Sequence, residues 1–388
     1  MITFFKRSYL FRKPYLAFIH GLIDAVGFIL FRGGRGRPFP SDVKRILVSR
    51  IDHLGDVFIS ASVLPHIKKA FPKAEIDFLA GSWAGPLLST NPLVARHIAY
   101  DSFKLSRVNA GVLARAVKSF SSFTGNVKEL RKSRYDICLD LRTFSSNSIL
   151  LLFLGAGKFN AGFATGGWGF LLDRIIPYRD GVHEISHMAD ALGALGIKTD
   201  AEKLRAEFTL RNTAVKEASV LLKQYAVSFD EPFALIHIGS GLPAKLWRDD
   251  RWQELINILP ERYGLKPIVC GADESALKSC IKLPALLKLN VFASLAKQAS
   301  LFIGLDSFPA HLAASFGTPT AVIWCGVNDP VRWKPLGKNI VVIQKCVDCS
   351  PCFLKDGCKT MKCMDISADD CVKEIDRLIR NTRPMKGL

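Results

Sequence analysis

The chain has 388 residues, enough for two domains at the usual roughly 100–200 residues each. Hydrophobic residues make up 49% and charged residues 23%, which excludes intrinsic disorder and collagen-like structure. Lys and Arg total 53 against 35 Asp and Glu, a net charge of +18. That excess points to polyanionic partners (nucleic acid, an anionic membrane or phosphorylated substrates) without choosing among them.

Residues 1–40 are basic and aromatic around one apolar stretch, residues 15–31, which is broken by His20 and Asp24. Seventeen residues fall short of the roughly 20 that a spanning helix needs. Ala17, His20, Gly21, Asp24 and Gly27 follow helical spacing as one small or polar stripe, with Leu16, Ile19, Ile23, Val26 and Leu30 over much of the rest. The pattern predicts an amphipathic helix in a bilayer interface, with Lys6, Arg7, Arg12, Lys13, Arg32, Arg35 and Arg37 attracting anionic headgroups. A helix capping the protein's own core and a signal anchor are the alternatives.

After Pro40 strands and helices alternate. The run Arg45–Ser49 is apolar and rich in branched residues, as expected of a buried parallel strand. A helix is expected over Asp56–Ala70, strands over Ile76–Ala80 and Ile137–Leu141, and helices near Val108–Ser119, Val127–Lys132 and His183–Leu195, the last ended by Gly196. The rhythm then restarts. Helices are expected over Ala214–Tyr225, Arg251–Tyr263, Glu274–Lys282 and Ala310–Phe316, and strands over Phe233–Ile238, Pro267–Cys270, Leu301–Gly304 and Thr320–Trp324. Two such runs indicate two α/β domains.

Three motifs sit where strands give way to helices, the edge at which open α/β sheets bind ligands. In the first, RILVSRIDHLGD, Asp56 opens a helix. It is either a plain N-cap or a carboxylate placed to take a proton from a hydroxyl. In the second, ALIHIGSGLPAKLWR, small residues including Ser240 and Gly241 precede Lys245. Exposed N–H groups and a cation suit a diphosphate, although an ordinary βα loop explains the same residues. In the third, LFIGLDSFPAHLAA, Asp306, Ser307 and His311 surround a helix start, either to grip sugar hydroxyls and phosphates or to cap the helix.

Together these motifs resemble glycosyltransferase family 9, the lipopolysaccharide heptosyltransferase family. The residues that carry the resemblance are Arg50, Asp52, Gly55 and Asp56, then His237, Gly239, Ser240, Lys245 and Trp247, then Gly304, Asp306, Ser307, Pro309, His311, Leu312, Ala313 and Ala314. The resemblance implies a GT-B fold, two Rossmann-like domains facing across a cleft, with a C-terminal helix crossing back to the first. The expected domains are residues 41–200, which bind the acceptor, and 201–365, which bind the nucleotide sugar, followed by a crossover helix and tail over 366–388. It implies an inverting transfer from a nucleotide sugar, ADP-heptose in the family, to a lipopolysaccharide-core or related lipid-linked acceptor. The place of action is peripheral, on the inner face of the bacterial inner membrane. Carried over, Asp56 is the general base and Lys245 stabilises the leaving diphosphate, so catalysis needs no cofactor. Ser240, Gly241, Ser307 and His311 bind the donor, Asp306 its sugar, and Asp273 or Glu274 its ribose. The chain departs from the family pattern at Leu305, Phe308, Val327 and Asn328.

Six of the ten cysteines lie between Cys346 and Cys371. The spacing of Cys349, Cys352, Cys358 and Cys363 is compatible with a structural zinc or with disulfides stapling the tail; free thiols and a redox cluster are the other readings. Two further functions stay open at the sequence level. One is a nucleotide-sugar epimerase or hydrolase on the same fold, which would release sugar without an acceptor. The other is a basic nucleic-acid-binding protein, which the spread of the motifs over both domains disfavours.

Overall fold

A computed structural model describes residues 9–11, 13–31, 37–102, 111–143, 147–271 and 276–382. The chain divides into two compact units, residues 1–206 and 207–388.

The first unit opens with α1 (Pro14–Leu30). It continues through β1 (Arg45–Ser49), α2 (Leu54–Ser60), α3 (Leu64–Ala70), β2 (Glu75–Ala80), α4 (Gly85–Leu88), β3 (Arg96–Ala99) and α5 (Val112–Ser133), then β4 (Ile137–Asp140), α6 (Asn147–Leu154), β5 (Phe159–Gly162), β6 (Arg174–Ile175) and α7 (Glu184–Ala194). Its six strands are parallel in the order β3-β2-β1-β4-β5-β6. Ile46, Leu47 and Val48 are fully buried, as a strand with both faces covered requires. The order reverses between β1 and β4, whose carboxyl ends pair Ser49 with Asp140. That reversal is the topological switch point at which open sheets bind ligands.

Helix α1 forms over the expected stretch and exposes most of its apolar residues. Its small and polar stripe faces the protein: Ala17, Gly21, Asp24 and Gly27 are buried. A Cβ on Gly27 would lie 2.4 Å from the Phe170 ring, so only glycine lets the helix approach this closely. Arg37, expected to attract headgroups, is instead tied to Asp173 through two hydrogen bonds of 2.9 and 2.7 Å and donates to the Gly157 carbonyl.

Where two helices were expected near residues 108–132, a single helix, α5, forms. The Ser–Thr–Gly segment that reads as a break is held in helix by Asn126, which donates to the Ser122 carbonyl one turn back. Val108, Asn109 and Ala110 lie outside the described residues.

The second unit runs through α8 (Asn212–Lys223), β7 (Phe233–His237), α9 (Asp249–Tyr263), β8 (Lys266–Cys270), β9 (Ile281–Lys282), α10 (Leu289–Gln298), β10 (Leu301–Leu305), α11 (Phe308–Ser315), β11 (Thr320–Trp324), α12 (Pro330–Trp333), β12 (Ile340–Gln344) and α13 (Ala368–Thr382). Its parallel sheet repeats the same plan, β12-β11-β10-β7-β8-β9, with the reversal between β7 and β10. The helix expected over Glu274–Lys282 is corrected: Ile281 and Lys282 pair with Ile268 and Val269 as an edge strand. The final helix forms where expected. Cys371, Ile375 and Leu378 on its apolar face join the second unit's own core with Trp247 and Trp252, and Asp376 pairs with Arg262 at 2.6 Å.

Candidate active site

In the first unit the switch point is filled by charge. Arg50 follows β1 directly, and its side chain is only 1% exposed. Its Nη1 donates to Glu184 Oε1 at 2.9 Å and to the Leu141 carbonyl. Its Nε lies 2.9 Å from Asp52 Oδ2 and its Nη2 3.3 Å from Asp56 Oδ1. Arg142, two residues beyond β4, donates from Nε to Asp52 Oδ1 at 2.8 Å. Glu184 also accepts from Thr143 Oγ1 at 3.1 Å. Behind it His187 places Nδ1 3.3 Å from Glu184 Oε2 and Nε2 2.9 Å from the Arg179 carbonyl.

Asp56 therefore sits at the edge of a fixed frame, with 14% of its side chain open to solvent. Its Oδ2 accepts the His53 backbone N–H at 3.0 Å; the N-cap is His53 rather than Asp56, which is the third residue of α2 and closes a capping box. Capping does not exhaust its chemistry. Burial raises its pKa to about 7, and the charges of Asp52 and Glu184 raise it too, against the lowering pull of Arg50 and of the His53 hydrogen bond. Burial alone would lower the proton affinity of Arg50, but Asp52, Glu184 and Asp56 more than offset it, so the guanidinium stays charged.

A pH dependence follows. A base must be ionised to act, so the rate should rise with pH through about 7 and level off above it. Glu184→Gln removes a like charge and leaves Arg50 with one anionic partner fewer. Both changes favour ionised Asp56. The acid limb of a kcat–pH profile should then move down by about one pH unit. An unmoved limb in a folded variant would exclude Glu184 from this tuning.

In the second unit the switch point joins the loops after β7 and β10. A Cβ on Gly239 would lie 2.0 Å from the Gly271 carbonyl oxygen, so only glycine fits between the ends of β7 and β8. His237 is half-buried here and its pKa is pushed down to about 4 by desolvation, so it is neutral. Ser240 Oγ accepts the Leu242 N–H at 3.2 Å, and Gly241 is exposed. Lys245 Nζ meets Asp306 twice, at 2.6 Å from Oδ2 and 2.8 Å from the carbonyl oxygen. Asn328 Nδ2 donates to the same Oδ2 at 3.2 Å, and its carbonyl accepts from Trp324 Nε1. Ser307 Oγ donates to the Leu305 carbonyl rather than capping α11, and His311 lies one turn into that helix, partly exposed.

The structure thus brings Lys245 and Asp306 together and sets Asp56 in an acid–guanidinium frame. Asp273 and Glu274 lie outside the described residues. No disulfide joins any of the ten cysteines, and no group of three or more His, Cys, Asp or Glu among the described residues is placed to hold a metal. Cys349 and Cys358 are exposed, Cys358 Sγ faces Thr360 Oγ1, and Cys363 is buried against Gly326, whose carbonyl accepts the Cys352 N–H. Arg142, Glu184 and His187 were not singled out from the sequence. The signal that could have found Arg142 is its place just past a strand end.

A family model for glycosyltransferase family 9 (heptosyltransferase) matches residues 125–363, more than half the chain. The sequence is 26% identical over 306 residues to lipopolysaccharide heptosyltransferase 3 of Escherichia coli K12, covering 74% of this chain and 84% of that one. Among solved structures, the family 9 glycosyltransferase of Veillonella parvula superposes with a TM-score of 0.71 at 19% identity over 88% of this chain and 99% of that one. The E. coli ADP-heptose lipopolysaccharide heptosyltransferase II gives 0.66 at 21%, over 87% and 99%. The two parallel switch-point sheets are those of a GT-B glycosyltransferase. The chain belongs to glycosyltransferase family 9.

Proposed function

We propose that the protein transfers heptose from ADP-heptose, with inversion, to a hydroxyl of a lipopolysaccharide-core or related lipid-linked glycan. Its place of action is the inner face of the inner membrane, against anionic lipid. The observation that carries the reading is the frame around Asp56. A carboxylate next to a strand end keeps a high proton affinity because it is buried, and two further acids that share its arginine add to the effect. The similarity to proteins named as lipopolysaccharide and ADP-heptose heptosyltransferases supports the choice of donor and acceptor.

In this reaction Asp56 takes the proton from the acceptor hydroxyl. The oxygen forms its bond to the anomeric carbon as the bond from that carbon to the diphosphate breaks, and ADP leaves with the electron pair. One displacement inverts the centre. Two N–H groups of Lys245 are committed to Asp306, and the ammonium has three, so one remains for the diphosphate. Ser240, Gly241, Ser307 and His311 contact the donor, Asp306 contacts its sugar, and Asp273 or Glu274 holds the ribose. The positive charge that the leaving group needs comes from Lys245, so the reading calls for no metal in catalysis.

The test is to incubate the purified protein with ADP-heptose and a panel of other nucleotide sugars, with and without a truncated lipopolysaccharide acceptor. Products are followed by mass spectrometry and the new anomeric centre by NMR. Acceptor-dependent heptose transfer with inversion is expected. Sugar released or epimerised without acceptor would sink the reading in favour of an epimerase or hydrolase.

A further inference from the structure

Helix α1 is docked by the face that ordinarily meets water. Asp24, the one acidic residue in the first 41, is buried: its Oδ2 accepts from Tyr9 Oη at 2.7 Å and its Oδ1 from the Trp168 N–H at 2.7 Å. His20 stacks on Phe11 with centroids 4.6 Å apart, and Phe28 meets Phe170 edge-on. Gly27 closes against Phe170. These contacts fix both the roll and the direction of the helix on its own domain.

What remains outward is apolar along the whole length. Phe18, Leu22, Ile29 and Leu30 are each more than half exposed, and Ile19, Ile23 and Val26 join them at helical spacing. A contiguous apolar face of this size on a folded surface marks an interaction site. Its flanks carry only positive charge: Lys6, Arg7, Arg12 and Lys13 precede it, and Arg32 and Arg35 follow. No helix among the described residues is long and apolar enough to cross a membrane. An apolar stripe bounded at both ends by cations, with its one carboxylate turned inward, matches the layering of an anionic bilayer, with acyl chains below and phosphates above. A second copy of the same basic helix would bring like charges together at both ends.

We propose that α1 lies in the plane of an anionic bilayer, sinking Phe18, Leu22, Val26 and Ile29 into the acyl region while Asp24 and the small-residue stripe hold the catalytic domain on top. The anchor is then a rigid part of the first unit rather than a tether. It deepens the proposed membrane location and rests on it only for biological setting, because the binding test needs neither donor nor acceptor.

The full chain is sedimented with vesicles of phosphatidylethanolamine and phosphatidylglycerol, and separately with phosphatidylcholine vesicles. Binding to the anionic vesicles is expected, with much weaker binding to phosphatidylcholine. Leu22→Glu combined with Ile29→Glu, both at exposed positions, should lower partition by about 10-fold or more without changing circular dichroism or Tm. A second variant, Ile29→Trp, should gain emission that brominated acyl chains quench, which places that position below the headgroups. Three results would overturn the proposal: partition unaltered by the double substitution, equal binding to both lipids, or a dimer by light scattering that the double substitution abolishes while vesicles bind nothing. Failure of heptose transfer alongside intact vesicle binding would count against the catalytic reading alone.

Discussion

Asp56→Asn is expected to lower turnover by about 10²-fold or more while the protein folds normally and still binds ADP. Asn keeps the shape of the side chain and cannot take a proton. Arg50 keeps Asp52 and Glu184 as partners, so no buried guanidinium is stranded. Asp56→Ala should behave alike in turnover. The stability effect has a defined sign. The pKa of Asp56 is raised in the folded state, so its contribution is fully present below the ordinary carboxylate range and is lost as pH rises towards about 7. Asn cannot ionise. The Tm of Asp56→Asn should therefore match wild type near pH 4 and equal or exceed it at pH 8. Single-turnover kinetics separate this loss of chemistry from any change in binding. Retained turnover in the folded variant removes Asp56 as the base.

How far the sequence carried this can be judged from particular segments. Strands buried on both faces, such as residues 45–49 and 320–324, read as unbroken apolar runs and form where expected. Residues 96–99 did not, because Arg96 and His97 mark an edge strand whose polar side chains find partners: Arg96 donates to Asp77 and Glu129. Residues 340–344 form a half-exposed edge strand of the other sheet, although their run IVVIQ is as apolar as the strands that were expected. The faces of α1 were legible as a stripe and a remainder. Which of them meets the protein depended on Tyr9 and Trp168, and the latter lies 144 residues from Asp24 in the chain.

The candidate site divides the same way. Asp56, Lys245 and Asp306 stand in local motifs at strand ends, so a linear reading reaches them. Glu184 and Arg142 matter only because the order β3-β2-β1-β4-β5-β6 brings the ends of β1 and β4 side by side under the start of α7. No local pattern marks Glu184, which looks like any acid in a helix's first turn. The cysteines are a different case. Close spacing in sequence suggested a shared ligand, but the chain spends Cys363 on packing and leaves Cys346, Cys349 and Cys358 at the surface.

Lys245 carries the other large expected effect, and two consequences of its loss can be told apart. Its side chain and that of Asp306 are 11% and 6% exposed, so the pair is buried. Lys245→Met keeps the stem but strands the Asp306 carboxylate, and breaking a buried pair from one side costs about 3 kcal/mol or more. Urea unfolding should show that loss. Adding Asp306→Asn removes the stranded charge and should restore much of the stability, because the remaining amide can still accept from Asn328. Catalysis should not recover with it. Without the ammonium, the charge that grows on the departing diphosphate has lost a preorganised cation, a defect worth about 10²–10³ in kcat. The double variant should therefore be stable and slow, and slowest on donors whose leaving group is the poorest. If turnover returns together with stability, Lys245 is a structural partner of Asp306 and nothing more.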